Sequence, residues 1–380
     1  MVAESLGSSP LFNLSLSSKE LFHSNFLAWL CQAYPRSAGK LFSAYLPDRP
    51  GSCAGLRVLR EKNHIDLWLK YSDGSQLIIE NKVKSMPLHP QLEQYAAEHV
   101  GAPATGFLLL SLERPSFLAP GENRIRMSNG VVWQCLSYRE LADELRKLLP
   151  DIHHGYHAGL LEDYCDFIDN LAVLQARFSV NWGDARGDFF EIGQDRECLR
   201  EIRLHDLFDK LRYSGLAQHV IGLLGGEFTM CQDFKRIEAG EAFVTSGMTR
   251  GTGLFDFKYC LCGRKEFGYP VILGLQLQGN DFRLVVEIED RKQAARISQC
   301  LLRPDDGNRV WFDFRLLSGG SQEYPHKEGK DFNQYDGQFL YRSKRLDHIS
   351  PQLLADTIVA YAKLARDNAP LLRQQIGAPE

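Results

Sequence analysis

Two short apolar runs joined by a turn decide the fold of the first half of the chain: Ile65-Asp66-Leu67-Trp68-Leu69, then Ser72-Asp73-Gly74-Ser75, then Leu77-Ile78-Ile79-Glu80-Asn81-Lys82. Each apolar run has the length and composition of a strand. Because Asp-Gly lies between them, the turn favours a hairpin. The two strands are therefore predicted to be antiparallel neighbours, each carrying one carboxylate.

The charged residues of this hairpin are predicted to converge. Side chains alternate along a strand, so Glu80 and Lys82 lie on one face and Asn81 on the other. If the hairpin pairs residue 66 with residue 80, Asp66 joins the face of Glu80. Two buried carboxylates need a cation to neutralise them, and their oxygens suit Mg²⁺ or Mn²⁺. Such an ion can promote attack on a phosphodiester, while Lys82 orients water or stabilises developing charge.

An interpretation without chemistry stays open for the same residues. In it, Glu80 and Lys82 form an ordinary ion pair at the end of a sheet, and Asp66 is a surface charge near a turn. Each residue taken singly favours this interpretation. Their combination, with a hairpin between the carboxylates and a helix following, favours the metal site.

The hairpin and the helix after it resemble the PD-(D/E)XK nuclease superfamily. The likeness lies in Ile65-Asp66, Ile79-Glu80-Asn81-Lys82 and Gln91-Leu92-Glu93-Gln94-Tyr95. The third segment is similar to the Gln-x-x-x-Tyr helix of the RecB-like branch. Residue 65 is Ile where the family name has Pro, at a position that varies in the superfamily.

The resemblance implies a role for each matching residue. Asp66 and Glu80 would bind the metal, and Lys82 would assist the water. Gln91 and Tyr95 would line the active site, and their spacing of four residues places both on one face of a helix. Since most relatives of this kind cut DNA, the resemblance favours DNA over RNA.

The first helix is expected to begin near Ser17 or Ser18 and to end at Pro35. Its segment from residue 20 to 30 resembles the first helix of one bacterial subfamily, in which an acidic residue approaches the metal site. Glu20 is therefore a further metal-ligand candidate, with a solvated glutamate favoured by the helix dipole as the alternative. His23 and Glu61 could also face the site, but a surface position is expected for both.

The order of elements predicts an α/β fold, a restriction-endonuclease-like mixed sheet flanked by helices. We assign residues 1–180 to this nuclease-like domain and residues 190–380 to a second α+β domain that recognises the substrate or regulates cutting. Asn181 to Asp188 is interpreted as the linker. Beyond the hairpin, the strands of the first domain are expected at Leu56 to Leu59, Gly106 to Leu112 and Val131 to Leu136, and the helices at Pro90 to His99, Tyr138 to Leu149 and His157 to Arg177.

The second domain is expected to open with a helix pair and to end with a helix. The helices are predicted at Arg196 to Tyr213, Leu216 to Leu224, Arg291 to Leu302 and Pro351 to Arg366. The strands are predicted at Phe228 to Phe234, Ala242 to Thr245, Leu254 to Leu261, Tyr269 to Gln278, Phe282 to Glu289, Val310 to Leu316 and Gln338 to Tyr341.

The second half offers weaker functional candidates, each with an ordinary structural alternative that we prefer. The pair Cys260 and Cys262 has no second ligand pair for zinc. Gly247 to Gly253 could wrap a phosphate but lacks a phosphate-loop pattern. Gln276 and Gln278 could read a ligand or face solvent. A set of basic residues could face a nucleic acid, although acidic residues are interleaved among them. The basic residues are Arg203, Lys210, Arg212, Arg236, Arg250, Lys258, Arg264 and Lys265.

Composition fits a folded enzyme. Charged residues make up 24% and apolar residues 44% of the 380 residues, and the net charge of -4 argues against a histone-like binder. The chain starts without a signal-peptide pattern and its apolar runs are too short to span a bilayer, so we expect a cytoplasmic protein without a membrane partner. The nine cysteines are expected to be mostly reduced.

The expected function is metal-dependent hydrolysis of phosphodiester bonds, with Mg²⁺ or Mn²⁺ as cofactor, in restriction or phage defence. The expected partner is a nucleic acid, with a second copy of the chain or a defence-system protein as further candidates. The alternative is a catalytically silent nucleic-acid-binding or regulatory protein that retains the fold. The intact Asp, Glu and Lys set favours the enzyme, because a module without catalysis gains little from burying like charges together.

Overall fold

The structure, a computed structural model, forms two compact units over its described part. The first unit is Met1–Ser179 with Gln194–Leu211, and the second is Val180–Gly193 with Arg212–Glu380. The predicted domains, 1–180 and 190–380, remain a prediction about independent folding. The described residues are 2–15, 20–47, 55–99, 104–115, 117–118, 121–190, 196–231, 233–302, 311–317, 322–323 and 330–378.

The first unit is a mixed sheet with helices on both faces. Its strands are β1 (Arg57–Lys62), β2 (Ile65–Lys70), β3 (Gln76–Lys82), β4 (Thr105–Ser111), β5 (Arg124–Arg126) and β6 (Val132–Ser137). Its helices are α1 (Val2–Ser8), α2 (Pro10–Leu14), α3 (Glu20–Ala33), α4 (Pro35–Ser43), α5 (His89–Glu98), α6 (Tyr138–Arg146), α7 (Gly155–Phe178) and α8 (Arg196–Glu201), and α9 (His205–Leu224) begins in it.

The strand order in this sheet is β1-β2-β3-β4-β6-β5. Strands β3, β4 and β6 run parallel, while β1, β2 and β5 pair antiparallel with their neighbours. The predicted hairpin is confirmed: Gly74 has a φ of 88° and the Asp73 carboxylate accepts from the backbone N–H of Ser75 at 2.9 Å. The mixed α/β class predicted for this half is likewise confirmed.

Helix α5 packs on the sheet face that carries Glu80. Leu92 and Tyr95 are buried there against Ile78 and Phe107, in one apolar cluster with Trp133. The indole of Trp133 donates a hydrogen bond to the carbonyl of Leu92 at 3.2 Å, which fixes the helix over the sheet. The apolar residues that surround the charged end of β3 therefore also set the position of α5.

Three helices of the first unit differ from the sequence prediction. The short helices α1 and α2 precede the helix that was expected to be first. Pro35 follows the end of α3 as predicted, but it then opens α4 at its first position, where the missing N–H costs nothing. The caps expected at Ser17 and Ser18 lie outside the described residues.

Gly106 in β4 tests the packing of the sheet. A Cβ built there would lie 2.5 Å from the carbonyl oxygen of Tyr45 and 3.1 Å from the Cα of Leu46, and backbone cannot easily move aside. We expect Gly106→Ala to lower the free energy of unfolding of the first unit by about 1 to 3 kcal/mol. Urea unfolding followed by hydrogen exchange of first-unit peptides measures the change.

The matched control is Gly159→Ala in α7, where a Cβ meets nothing within 4 Å. This exposed helical site should gain about 0.5 to 1 kcal/mol, because alanine loses less backbone entropy than glycine on folding. Equal effects of the two substitutions would contradict the described approach of β4 to residues 45 and 46.

The second unit is an α+β layer, as predicted. Its strands are β7 (Thr229–Met230), β8 (Glu241–Thr249), β9 (Thr252–Cys262), β10 (Val271–Gln278), β11 (Asp281–Ile288), β12 (Gln322–Glu323), β13 (Asn333–Tyr335) and β14 (Phe339–Arg345). They form a sheet of order β12-β14-β11-β10-β9-β8-β7, with β13 paired to β14. Its further helices are α10 (Arg264–Phe267), α11 (Arg291–Leu302), α12 (Pro351–Asp367) and α13 (Ala369–Gln375).

Two strand predictions are wrong here, and the predicted linker is part of the second unit. Phe228 to Phe234 is a strand only at β7, and the described part of Val310 to Leu316 is not a strand although Trp311 is fully buried. The segment Asn181 to Asp188 consists of turns that belong to the second unit, where Trp182 stacks on His219 at 4.8 Å. The apolar pattern of the two segments predicted as strands reflects burial and not pairing in a sheet.

The weaker candidates of the second half have structural explanations. Arg250 and Gly251 form a two-residue turn with positive φ between β8 and β9, so the glycine-rich segment is a tight hairpin and not a phosphate loop. Gln276 donates to Asp256 at 2.9 Å, and Lys258 pairs with Glu287 at 2.6 Å. In the described part of the chain, no helix is both long and apolar enough to cross a membrane.

Candidate active site

The β2–β3 ladder ends next to the predicted site. The last paired residues are Leu67 and Ile79, and the same register continued by one residue opposes Asp66 to Glu80, which meets the condition set in the sequence analysis. The backbone N–H of Asn81 donates to the Asp66 carboxylate at 2.7 Å. The carboxylate of Asp66 thus takes the place of a backbone acceptor where the strands separate.

Glu80 lies at the centre of the cluster and is 2% exposed. Its Oε1 accepts from the Lys82 ammonium at 2.7 Å and from the Gln91 amide at 3.1 Å. Its Oε2 is buried and has no hydrogen-bond partner among the described residues. One oxygen of this carboxylate is therefore neutralised, and the other remains available for a ligand.

The site is electrostatically strained. Burial raises the pKa of Asp66, and burial together with the Asp66 charge raises the pKa of Glu80. Burial works to lower the pKa of Lys82, but the Glu80, Glu20 and Asp66 carboxylates together raise that pKa, with Glu80 contributing most. Two carboxylates and one ammonium leave a net negative charge, which a bound cation would offset.

The donor set fits a hard divalent ion held by few protein ligands. Asp66 and Glu80 supply carboxylate oxygens from adjacent strands, and Glu80 Oε2 is without a partner in the described structure. No group of three or more His, Cys, Asp or Glu side chains suited to a metal occurs among the described residues. Mg²⁺ commonly binds through one or two carboxylates plus water and substrate phosphate, so two are enough.

Helix α5 brings Gln91 and Tyr95 to the same place. Besides its bond to Glu80, the Gln91 amide donates to the Tyr95 hydroxyl at 3.1 Å, and that hydroxyl donates to the His64 carbonyl at 2.8 Å. Asn63 and His64 both have positive φ in the tight turn between β1 and β2. Gln91 and Tyr95 therefore connect Glu80 to the turn just before Asp66.

A comparison with known protein families agrees with this geometry. A family model described as the PD-(D/E)XK nuclease superfamily matches residues 11–149. The matched segment includes the strands that carry Asp66, Glu80 and Lys82. No curated protein and no solved structure matches the chain significantly.

The superfamily match confirms the resemblance and the restriction-endonuclease-like fold class predicted from the sequence. It does not test the RecB-like branch, which remains a prediction based on Gln91 and Tyr95. Asp66, Glu80 and Lys82 meet at the open end of a hairpin that lies within the matched residues. The roles of individual residues in the first unit remain proposals.

Glu20 is not part of a three-carboxylate group with Asp66 and Glu80. Its Oε1 accepts from the backbone N–H groups of Val83 at 3.1 Å and Lys84 at 2.8 Å. The Ser85 hydroxyl donates to the same oxygen at 2.8 Å. This carboxylate is therefore not the solvated charge of the alternative interpretation, and its role as a metal ligand is not tested by these contacts.

The opposite face of β3 holds a polar group that the sequence did not reveal. The Asn81 amide donates to the Glu20 carbonyl at 3.1 Å and to the Ser24 hydroxyl at 3.3 Å. The Tyr138 hydroxyl donates to the side-chain oxygen Oδ1 of Asn81. Asn81 was predicted to face away from Glu80, but nothing in the local pattern identified these distant partners.

The surface position expected for His23 is wrong. The imidazole is fully buried and lies 3.1 Å from the Tyr164 hydroxyl. Burial, with a smaller effect of Lys84, lowers its pKa to about 3. Glu61 is exposed, as expected, and its positive φ of 48° is unusual for a strand residue beside Asp66.

Proposed function

We propose that the first unit is a metal-dependent nuclease that hydrolyses phosphodiester bonds in DNA. The observation that carries the proposal is Glu80: a buried carboxylate beside Asp66, with one oxygen bound to Lys82 and the other without a partner among the described residues. Like charges buried together are costly, and a divalent ion with a phosphate oxygen would offset that cost. The match of residues 11–149 to the superfamily model supports the reaction class.

Asp66 and Glu80 would hold the ion, Mg²⁺ or Mn²⁺. When bound, it would supply charge stabilisation at the phosphorus and acidify a water molecule. The Lys82 ammonium, held by Glu80, would orient the attacking water or stabilise charge on the phosphate. Gln91 would keep the Glu80 carboxylate in place from the helix side.

The substrate preference and the biological role in this proposal rest on fewer observations. DNA is preferred to RNA on the family resemblance alone, and a role in restriction or phage defence on the same ground. The second unit is proposed to select the substrate or to control cutting. The competing function is a catalytically silent nucleic-acid-binding protein, which the retained Asp66, Glu80 and Lys82 disfavour.

Cleavage assays on the purified full chain test the proposal. Linear, circular and single-stranded DNA and a matched RNA are incubated with Mg²⁺, with Mn²⁺ or with a chelator, and calorimetry measures metal binding. Cutting of DNA that requires the ion is the expected result. If nucleic acid is bound but never cut and no divalent ion binds, the silent binding protein replaces the nuclease.

Gln91→Leu should lower kcat about 10-fold, because one of the hydrogen bonds to the Glu80 carboxylate is lost while the volume of the side chain is nearly kept. Tyr95→Phe should have a smaller effect, since its hydroxyl contacts Gln91 and the His64 carbonyl and not Glu80. Single-turnover cleavage at saturating metal measures both. An effect of Tyr95→Phe larger than that of Gln91→Leu would contradict this order of contacts.

A further inference from the structure

We propose that Glu20 and Asn81 form a clamp, defined by the hydrogen bonds of these two residues, that positions Lys82, and that Glu20 is not a metal ligand. The proposal rests on the proposed nuclease function, because it assigns positioning residues to that site. The clamp holds the chain on both sides of Lys82. It changes the role that the family resemblance suggested for the acidic residue of the first helix.

The first half of the clamp is the carboxylate of Glu20. Its Oε1 accepts three hydrogen bonds, from Val83 N–H, Lys84 N–H and the Ser85 hydroxyl, all between 2.8 and 3.1 Å. These donors belong to the chain that immediately follows Lys82. Oε1 with three donors has no capacity left for a cation, and charge-assisted bonds of this kind are the stronger ones. Asp66, Glu80 and Glu20 do not form a three-carboxylate metal group among the described residues.

The second half of the clamp is the side chain of Asn81, which precedes Lys82. Its amide N–H groups reach the Glu20 carbonyl and the Ser24 hydroxyl on α3, and its oxygen accepts from Tyr138. Asn81 is 2% exposed, and both donor and acceptor atoms of its amide have partners. Its backbone N–H also holds Asp66.

Together the two halves leave the backbone at residue 82 little freedom. Lys82 lies between a buried, fully bonded Asn81 and a Val83 whose N–H is held by Glu20. The Cα of Lys82 is therefore held in place, and this positions its ammonium at the Glu80 carboxylate. The charge of Glu20 raises the pKa of Glu80 less than the charge of Asp66 does, so Glu20 is the weaker electrostatic neighbour of the site.

The test compares Glu20→Gln with Glu20→Ala in the full chain. Glutamine keeps an oxygen acceptor but removes the charge, whereas alanine removes both. In metal-free protein, hydrogen exchange of the Val83 and Lys84 amides should accelerate about 10- to 100-fold in Glu20→Ala and clearly less in Glu20→Gln. This measurement does not depend on activity.

Metal affinity and kinetics complete the test. Calorimetry with Mn²⁺ should give dissociation constants within about 3-fold of wild type for both Glu20 variants, while Asp66→Asn weakens binding at least about 10-fold. Glu20→Ala should lower kcat about 10-fold or more with KM nearly unchanged, because Lys82 is misplaced. Tyr138→Phe, which loosens the other half, should lower kcat in the same way and leave Mn²⁺ affinity intact.

Distinct results would overturn the clamp. If Glu20→Gln weakened Mn²⁺ binding as much as Asp66→Asn does, Glu20 would be a ligand. If Glu20→Ala left the two amides as protected as in wild type while wild type cut DNA, the clamp would be wrong and the nuclease would stand. If wild type bound no metal and cut nothing, the exchange rates would still decide whether the clamp exists.

Discussion

Asp66→Asn, Glu80→Gln and Lys82→Ala should each reduce metal-dependent cleavage of DNA by about 10²- to 10³-fold, the usual cost of removing one charge-stabilising group from an active site. Asn and Gln keep the shape and much of the hydrogen bonding of the carboxylates but remove the charge that would hold the ion. Lys82→Ala removes the ammonium that contacts Glu80 at 2.7 Å. Single-turnover cleavage at saturating Mg²⁺ measures each loss.

The three variants should differ in metal binding, and the two carboxylate variants should agree in stability. Calorimetry should show weakened binding in the two carboxylate variants and nearly normal binding in Lys82→Ala. In metal-free buffer the Tm of the two carboxylate variants should hold or rise, because one of two buried like charges is gone. Glu98→Gln, on the exposed end of α5, is the matched control and should behave as wild type.

Several outcomes would refute this assignment. Wild-type cleavage rates in all three variants would exclude the site. Loss of cleavage with a fall of Tm in the two carboxylate variants in metal-free buffer would mean that the residues support the fold and not the reaction. An ordinary ion pair between Glu80 and Lys82 would predict this second result, since breaking a buried pair is strongly destabilising.

The second large effect concerns acid stability. His23 is fully buried. Burial, with a smaller effect of Lys84, lowers its pKa to about 3, whereas the pKa of histidine in an unfolded chain is about 6.5. Below the unfolded pKa only the unfolded state takes up the proton, so the stabilisation present above it is lost as pH falls. The loss from this residue should reach about 3 kcal/mol at pH 4.

His23→Asn isolates this contribution. Asparagine can keep a hydrogen bond to the Tyr164 hydroxyl but does not titrate. Its stability relative to wild type should therefore rise by about 3 kcal/mol between pH 7 and pH 4, even if it is less stable at pH 7. Contributions of the carboxylates are common to both proteins and cancel. Urea unfolding followed by hydrogen exchange of first-unit peptides supplies the values, and a pH-independent difference would place His23 in solvent.

The sequence by itself determined the local structure around the site. Alternation along two apolar runs and the Asp-Gly turn were enough to predict the β2–β3 hairpin, while its register was left as a condition that the structure meets. They also put Glu80 and Lys82 on one face, and a spacing of four put Gln91 and Tyr95 on one side of α5. These features depend on residues close in the chain, so backbone geometry and side-chain period specify them.

Only the tertiary structure decided what lies behind β3 and what Glu20 contacts. Asn81 meets Glu20 and Tyr138 across 61 and 57 residues, and His23 meets Tyr164 across 141. No periodic pattern specifies such partners, and a lone histidine or glutamate on a helix looks the same whether it is exposed or buried. Burial in the assembled unit makes each of these polar groups require a partner, and the packing of α3, α6 and α7 supplies it.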